Sequence, residues 1–194
     1  LDGDLRTVKR LQIELSVAVT KTKFAKAADA AMRTFLDFID PRVFGTAAFA
    51  AAERNRPKII RLLHEMRADL DKPNTEQGAT PTYHAAQEGH IEMVRLLSHL
   101  RADLDKPNTV DGGTPAAMAA QNGLTAMVQP LYGLGADVHR AANDGARPIH
   151  IAAADGHVKT VLLLLSLRAS IDAQDNEGRT PCWLAAFDGH AKVL

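Results

Sequence analysis

A short motif built around glycine and proline recurs along this chain at an almost constant interval. Glycine, any residue, threonine or arginine, and proline follow one another four times, with the glycine at Gly78, Gly112, Gly145 and Gly178. These glycines lie 34, 33 and 33 residues apart. Repetition at that period is typical of stacked supersecondary units rather than of one globular core. The chain is therefore expected to fold as a solenoid, in which each unit packs on its neighbours.

The unit from Thr75 to Asn108 shows what each repeat predicts. Thr80 is a good N-cap, and Pro81 suits the first helical position, where its missing N–H costs nothing. Gly89 ends this short helix as a left-handed C-cap. A second helix with apolar residues at helical spacing follows at once, and an extended turn then leads to the next unit. We call this turn the finger, so each unit reads as helix, turn, helix and finger.

The same features recur downstream, and together they resemble the ankyrin-repeat family, whose pattern is approximately D-x-x-G-x-T-P-L-H-x-A-A-x-x-G-H. The alanine pairs and capping glycines that carry the resemblance are Ala85-Ala86 with Gly89, Ala119-Ala120 with Gly123, Ala152-Ala153 with Gly156, and Ala185-Ala186 with Gly189. An earlier copy keeps Thr46 and Ala51-Ala52 and has Asn55 in place of glycine, since asparagine also tolerates the left-handed region. The resemblance implies an all-α solenoid of stacked helix-turn-helix repeats with short β-hairpin-like fingers. The repeats are expected at about residues 43–74, 75–108, 109–142, 143–174 and 175–194, the last one truncated.

Several positions depart from the family pattern. The motif histidine is kept only as His150, and the equivalent residues are Phe49, Tyr83, Ala117 and Trp183. Pro130 falls inside a second helix, where it is expected to bend or shorten that helix. The second helices of three repeats end on an arginine where the family carries glycine. Because arginine disfavours positive φ, we expect these caps to differ in geometry from the cap at Gly135; the arginines are Arg67, Arg101 and Arg168.

Residues 1–42 are expected to form an N-terminal helical segment. Residues 2–11 resemble the second helix of a repeat whose first half is missing, and residues 21–40 predict an amphipathic helix. Between them, residues 12–20 alternate in polarity and read equally as a strand or as a continuation of helix. The segment either caps the end of the solenoid or docks on another protein.

Both ends of the chain look cut. There is no initiator methionine, and the last repeat stops at Leu194. Terminal repeats usually carry polar outer faces, whereas Val193 and Leu194 are apolar. We therefore expect a fragment of a longer chain, or a partner or further repeats that cover the C-terminal end near these two residues.

The composition indicates an intracellular protein. Basic and acidic residues number 23 each, so bulk charge gives no indication of nucleic-acid binding. Cys182 is the one cysteine, which excludes an internal disulfide framework and fits a reducing compartment, in the cytosol or inside an organelle. The longest apolar run, residues 161–165, is far shorter than the roughly 18 residues that a membrane span needs.

Catalytic, metal and cofactor motifs are not recognised in the sequence. Four of the eight histidines, His90, His150, His157 and His190, occupy positions that the repeat explains. The other four do not have the pair spacing of a zinc site, and one cysteine makes no thiolate cluster. No phosphate-binding loop, serine elbow or carboxylate pair stands out, so the chain is not expected to be an enzyme or to hold a cofactor.

Binding therefore remains as the function, and the family resemblance implies that the fingertips and first helices carry it. The residues at those positions are Glu76, Gln77, Gln87, Glu88, Val110, Asp111, Gln121, Asn122, Asn143, Asp144, Asp155, Asn176, Glu177, Arg179, Phe187 and Asp188. Seven of them are acidic and one is basic, which indicates a mildly acidic groove that favours a basic segment of another protein. Turn and cap chemistry accounts for many of these acidic residues equally well. Phe187 is the best candidate for an aromatic anchor if it is exposed.

Two functions from different classes remain open. The first is a non-catalytic scaffold for protein–protein interaction, as a peripheral subunit of a larger assembly. The alternative is a regulatory or substrate-recruiting module cut from a multidomain enzyme or channel. Attachment to a membrane surface through residues 21–40 is the least favoured, because packing on the first repeat explains their apolar face better.

Overall fold

The computed structural model describes residues 46–194. This part of the chain contains nine α-helices: α1 Ala47–Glu53, α2 Pro57–Glu65, α3 Pro81–Gln87, α4 Ile91–His99, α5 Pro115–Gln121, α6 Thr125–Gly133, α7 Pro148–Ala154, α8 Val158–Ser166 and α9 Pro181–Phe187. They form four pairs, in which the first helix has seven residues and the second has nine, and α9 follows as the first helix of a fifth repeat. The predicted all-α solenoid is confirmed. The predictions for residues 1–42 lie outside the described residues.

Threonine N-caps start most of the first helices, as the sequence predicts. The hydroxyl oxygens of Thr46, Thr80, Thr114 and Thr180 each accept a hydrogen bond from the backbone N–H three residues on, at 3.1–3.2 Å. Arg147 stands at this position before α7 and has no such oxygen. There the His150 N–H donates to the Arg147 carbonyl at 2.8 Å, and Nδ1 of the His150 ring accepts from the Arg147 N–H at 3.1 Å. The motif histidine thus stabilises this helix start through a different N–H from the one that threonine caps.

The ends of the second helices correct one prediction. Arg67, Arg101 and Arg168 were expected to differ in geometry from Gly135, but all four have positive φ, at 62°, 64°, 73° and 93°. After α4, Ala102 N–H donates to the carbonyl of Leu97 and Arg101 N–H to that of Ser98. This is a Schellman motif, and the same two bonds close α2, α6 and α8. The need to pair these carbonyls overrides the local preference of arginine.

Pro130 was expected to bend or shorten its helix, and it does not shorten it. α6 has nine residues, as α2, α4 and α8 do, with Pro130 as its sixth residue. The carbonyl that would receive the missing N–H belongs to Ala126, which is exposed. Because solvent reaches this residue, the lost hydrogen bond leaves no buried polar group behind, and the helix continues.

The two helices of each repeat form two layers of different spacing. The alanine pairs of α1, α3, α5 and α7 are buried, as is Ala185 of α9, and successive first helices pack more closely than successive second helices. The second helices contribute larger side chains, such as Leu63, Leu97, Leu131 and Leu164, to one continuous core. Small residues let helices approach and large ones hold them apart. The first-helix layer is therefore the tighter, inner side of a curved solenoid.

The fingers are turns, each closed by a backbone hydrogen bond at its base. They run from residue 74 to 79, 108 to 113, 142 to 146 and 175 to 179, with N–H···O distances of 2.8–3.1 Å, and residues 46–194 contain no strand. Neighbouring fingers are also joined. Thr109 N–H donates to the Gln77 carbonyl, Asn143 N–H to that of Asp111 and Asn176 N–H to that of Asp144, at 2.8–3.0 Å. These bonds hold the fingertips in register.

No helix in the described part of the chain is both long and apolar enough to cross a lipid bilayer.

Candidate functional site

The fingers and the first helices form one continuous side of the solenoid, which we call the inner surface. All sixteen residues that the sequence analysis selected lie on it. Fourteen of these side chains are exposed, and Gln87 and Arg179 are half-buried. The selected residues fall in two rows, one on the fingers and one at the C-terminal ends of the first helices. The finger row contains Glu76, Gln77, Val110, Asp111, Asn143, Asp144, Asn176, Glu177 and Arg179, and the helix-end row contains Gln87, Glu88, Gln121, Asn122, Asp155, Phe187 and Asp188.

The two aspartates of the finger row each hold their turn with one oxygen. Oδ1 of Asp111 accepts from Gly113 N–H at 2.8 Å, and Oδ1 of Asp144 accepts from Ala146 N–H at 2.9 Å. The second oxygen of each carboxylate accepts no hydrogen bond from the described residues. The turn therefore occupies one oxygen of each carboxylate, and the other oxygen remains available to a ligand.

The last finger carries its own ion-pair network. Arg179 Nε lies 2.6 Å from Asp175 Oδ2, and its guanidinium lies 3.0 Å from Glu177 Oε2. Burial of the Asp175 carboxylate would raise its pKa, but the hydrogen bonds from Arg179 and Glu177 outweigh burial and hold the pKa below its usual range. The network contains one guanidinium and two carboxylates, so it adds one net negative charge to this finger.

Side chains in the helix-end row or two residues after it connect the second, third and fourth repeats to the repeat before. His90 Nε2 donates to the Glu53 carbonyl at 3.1 Å, and His157 Nε2 donates to the Gln121 carbonyl at 2.8 Å. The third repeat has Leu124 at this position, which cannot donate. There Asn122 Nδ2 donates to the Gln87 carbonyl at 3.1 Å. Asn122 therefore braces the stack, and sequence reasoning had assigned it only to binding.

The last first helix exposes two aromatic rings. Trp183 and Phe187 stack in parallel on α9, with ring centroids 5.0 Å apart and 10° between the ring planes. Their exposed fractions are 47% and 74%. Sequence reasoning selected Phe187 but treated Trp183 only as a replacement for the motif histidine. The spacing of four residues on one helix was the signal that would have paired them.

At the position equivalent to Trp183, the side chains of Tyr83 and His150 reach the following finger or the residues just before it. Tyr83 accepts a hydrogen bond from Asn108 Nδ2 at 3.1 Å, and His150 Nε2 donates to the Ala173 carbonyl at 2.9 Å. Burial lowers the pKa of His150, so its ring is neutral at pH 7. Ala117 is too short to make such a bond.

A cleft of about 190 Å³ lies on the inner surface between the second and third fingers. Asp111 and Asp144 stand on its two sides, Ala117 and Met118 of α5 and Ile151 of α7 supply apolar lining, and Tyr83 of α3 also lines it. Sequence reasoning named the two aspartates, together with Gln121 in the lining, but missed the apolar residues. The one sequence signal for the cleft was Ala117, a small residue at the position of the motif histidine.

Side chains that could hold a metal ion do not converge in the described part of the chain. Among residues 46–194, no three His, Cys, Asp or Glu side chains are grouped as ligands. Cys182 is free and half-buried.

The comparison with protein families agrees with this architecture. A family model for ankyrin repeats, described as three copies, matches residues 3–108 and 110–194. The chain therefore belongs to the ankyrin-repeat family, whose repeats are generally protein–protein interaction modules and typically non-catalytic. No curated protein matches the chain. The division between residues 1–42 and the repeats stays a prediction.

Proposed function

We propose that this chain is a non-catalytic scaffold that binds a basic segment of another protein through its inner surface. The observation that supports this most directly is a set of exposed carboxylates that form no ion pair with any residue in the range 46–194: Glu76, Glu88, Asp111, Asp144, Asp155 and Asp188. Charges of one sign on one surface attract a partner of opposite sign and speed its association.

Apolar side chains beside these carboxylates supply area that a partner can bury. Val110 on the second finger is 67% exposed, and Phe187 on α9 is 74% exposed. Aromatic side chains of this kind anchor many interfaces, and the surrounding charges set orientation and specificity. The inner surface thus combines the two features that a peptide-binding groove needs.

The test is affinity capture with two charge-reversal variants of equal net charge. The first variant replaces Glu88, Asp155 and Asp188 with lysine. The control replaces Glu65, Glu92 and Asp172, which are exposed on α2, on α4 and after α8 and were not selected as binding residues. Proteins bound by the chain from its native extract are identified by mass spectrometry. We expect a partner that the wild type and the control retain and the first variant loses.

Salt dependence provides a second readout in the same experiment. Screening weakens attraction between exposed charges, so capture by the wild type should decline between about 50 and 300 mM salt. The first variant should show less of this decline. A partner held equally by all three proteins at every salt concentration would contradict binding through inner-surface charge.

The aromatic stack on α9 supports a second element of the proposal, that a partner or a further repeat covers this face in the working assembly. Trp183 stands where Tyr83 and His150 each bond to a following finger. Trp183 is the one tryptophan in the sequence, so its fluorescence reports this face alone. Binding of the captured partner over α9 should shift the emission to shorter wavelength, whereas an unchanged spectrum would contradict contact at α9 and leave the fingers and the earlier first helices as the contact. The full reading frame would distinguish a subunit from a module of a multidomain enzyme or channel.

A reducing intracellular compartment forms part of this proposal, because a chain with one cysteine forms no internal disulfide.

A further inference from the structure

We propose that the cleft between the second and third fingers binds the side chain of one arginine in the partner's segment. This inference rests on the proposed function and specifies it, because it names the residue type that is recognised and the place that receives it.

The cleft exists because a bridging side chain is missing. In the neighbouring repeats, Tyr83 and His150 extend from the first helix to the next finger. Ala117 holds the same position on α5 and ends at its Cβ. The space that remains has a volume of about 190 Å³. It is large enough for an extended side chain.

The lining of the cleft suits a long side chain with an apolar stem. Met118 and Ile151 are half-buried and contribute apolar surface from α5 and α7, and the buried Ala117 of α5 also lines the cleft. Arginine and lysine bury their methylene groups along surfaces of this kind while their charged ends remain near solvent. A short acidic or polar side chain would leave the apolar lining uncovered.

The sides of the cleft supply the charge that such a side chain needs. Asp111 and Asp144 stand on neighbouring fingers, and each has a carboxylate oxygen that accepts nothing from the described residues. The guanidinium group presents five N–H donors in one plane, so it can donate to carboxylates on two sides at once. Lysine offers a point charge without that fork, which is why we assign the cleft to arginine.

A buried hydroxyl adds an independent donor. Tyr83 is 2% exposed and lines the cleft, and its oxygen accepts from Asn108 Nδ2 at 3.1 Å. The hydroxyl proton goes to no acceptor among the described residues. Buried donors are nearly always paired, so this proton is available to a carbonyl oxygen of the bound segment. The cleft therefore offers acceptors for a cation and one donor for the backbone beside it.

The test is an NMR titration of the full 194-residue chain, labelled with ¹⁵N, at low ionic strength. The probe is the acetylated and amidated pentapeptide Ala-Ala-Arg-Ala-Ala. Two matched peptides replace arginine with citrulline, which has the same shape without the charge, or with lysine. We expect saturable shifts at the amides of Gly113, Ala117, Gln121 and Ala146, with affinity for the citrulline peptide about tenfold lower or more. Equal shifts with citrulline or with lysine would overturn the assignment to arginine.

The variant for this test is Asp111→Asn with Asp144→Asn. Asparagine keeps the Oδ1 acceptor that each finger needs for the N–H of Gly113 or Ala146, so the turns are retained while both charges are removed. The control, Glu65→Gln with Asp172→Asn, removes the same two negative charges at exposed positions that lie outside the inner surface and the cleft. We expect about tenfold weaker binding of the arginine peptide in the first variant and less than about twofold in the control. Equal affinities would overturn the inference.

Failure of this inference can be told from failure of the proposed function. Glu88, Asp155 and Asp188, which test the proposed function, do not line the cleft. If the arginine peptide shifts amides near those residues but not in the cleft, the inner surface still binds basic segments and the cleft assignment is wrong. If charge reversal at those three residues does not change capture of the partner, the proposed function itself fails.

Discussion

The ring of His157 is bonded to one residue of the preceding repeat and packed on another. Its Nε2 donates to the Gln121 carbonyl at 2.8 Å, and its Nδ1 would lie 2.6 Å from a Cβ built on Gly123. The glycine also has a positive φ of 63°. Glycine is thus required at position 123 for two reasons: the backbone has a positive φ, and the His157 ring leaves no room for a Cβ.

Gly123→Ala should therefore lower the free energy of unfolding by at least about 2 kcal/mol, because strain at positive φ adds to the clash with His157. The matched control is Gly133→Ala in the last turn of α6, where a Cβ meets nothing within 4 Å. That change should stabilise the protein by about 0.5–1 kcal/mol, since alanine is the better helix former. Urea unfolding measures both values, and a loss of equal size in the two variants would contradict the explanation.

The left-handed arginines predict a stabilising substitution. Arg101 has φ 64° in the Schellman motif after α4, a conformation that glycine adopts without cost. Arg101→Gly should therefore raise the free energy of unfolding by about 0.5–1 kcal/mol. The control, Arg95→Gly in the middle of α4, should lower it by about 1 kcal/mol. Changes of the same sign in the two variants, measured by thermal unfolding, would show that cap strain is absent.

Stability below neutral pH should depend on His150. Burial lowers the pKa of His150, so the unfolded chain takes up a proton first as the pH falls below about 6.5. Unfolding therefore becomes more favourable as the pH drops from 7.5 to 5.5, whereas above the unfolded pKa there is no such dependence. His150→Leu should make this slope shallower. It should also cost about 1–3 kcal/mol at pH 7.5, because the Arg147 N–H and the Ala173 carbonyl lose their partner.

Tyr83→Phe is the control for that experiment. It removes the equivalent bond to the next finger, with Asn108. Burial raises the pKa of Tyr83 above its ordinary value of 10, so the phenol does not titrate between pH 5.5 and 7.5. The variant should lose stability without a change in slope. If His150→Leu leaves the slope of stability against pH unchanged, His150 is not the cause of the pH dependence.

Ionisation of Asp71 should make the protein less stable as the pH rises, which is opposite to the effect of His150. Burial, assisted by Asp69 and Asp103, raises the pKa of Asp71 against the effect of the Asp103 N–H and Lys106. A raised pKa in the folded state means that stability is lost as the pH rises from about 3.8 through the folded pKa. Asp71→Asn keeps an Oδ1 acceptor for Asp103 N–H, now at 2.9 Å, and removes the charge. The variant should be the more stable protein at pH 7 and equal to the wild type at pH 3 in urea unfolding.

A matched charge change at the exposed Asp172 controls for net charge in that comparison. If Asp172→Asn stabilises the protein at pH 7 as much as Asp71→Asn does, then long-range charge repulsion, and not burial of Asp71, is responsible.

The sequence predicts those parts of the fold that depend on short-range chemistry. Thr80, Pro81 and Gly89 act through bonds and dihedral angles within a few residues, so the start and end of α3 follow from them directly. Arg101 was misjudged because its conformation is set by the carbonyls of Leu97 and Ser98, which must be paired whatever residue ends the helix. Local preference was the weaker of the two effects.

The candidate site shows where such prediction stops. The fingertip aspartates could be selected from the repeat pattern, because each precedes a turn residue of known type. The cleft could not, since it depends on how far Tyr83, Ala117 and Ile151 extend from three different repeats. Asn122 was misassigned for the same reason, because its partner is the backbone of Gln87, 35 residues earlier. Contacts between repeats are the information that a single repeat's pattern lacks.

The two helical layers have a consequence for how binding specificity can change. Alanines space the inner layer and leucines space the outer one, so the bulk of side chains that no ligand touches sets the radius of the arc. A larger residue on the outer helices would tighten the arc and bring the fingertips together, and a smaller one would spread them. Substitutions on the outer helices can therefore change which ligands fit the inner surface, without changing any residue that contacts the ligand.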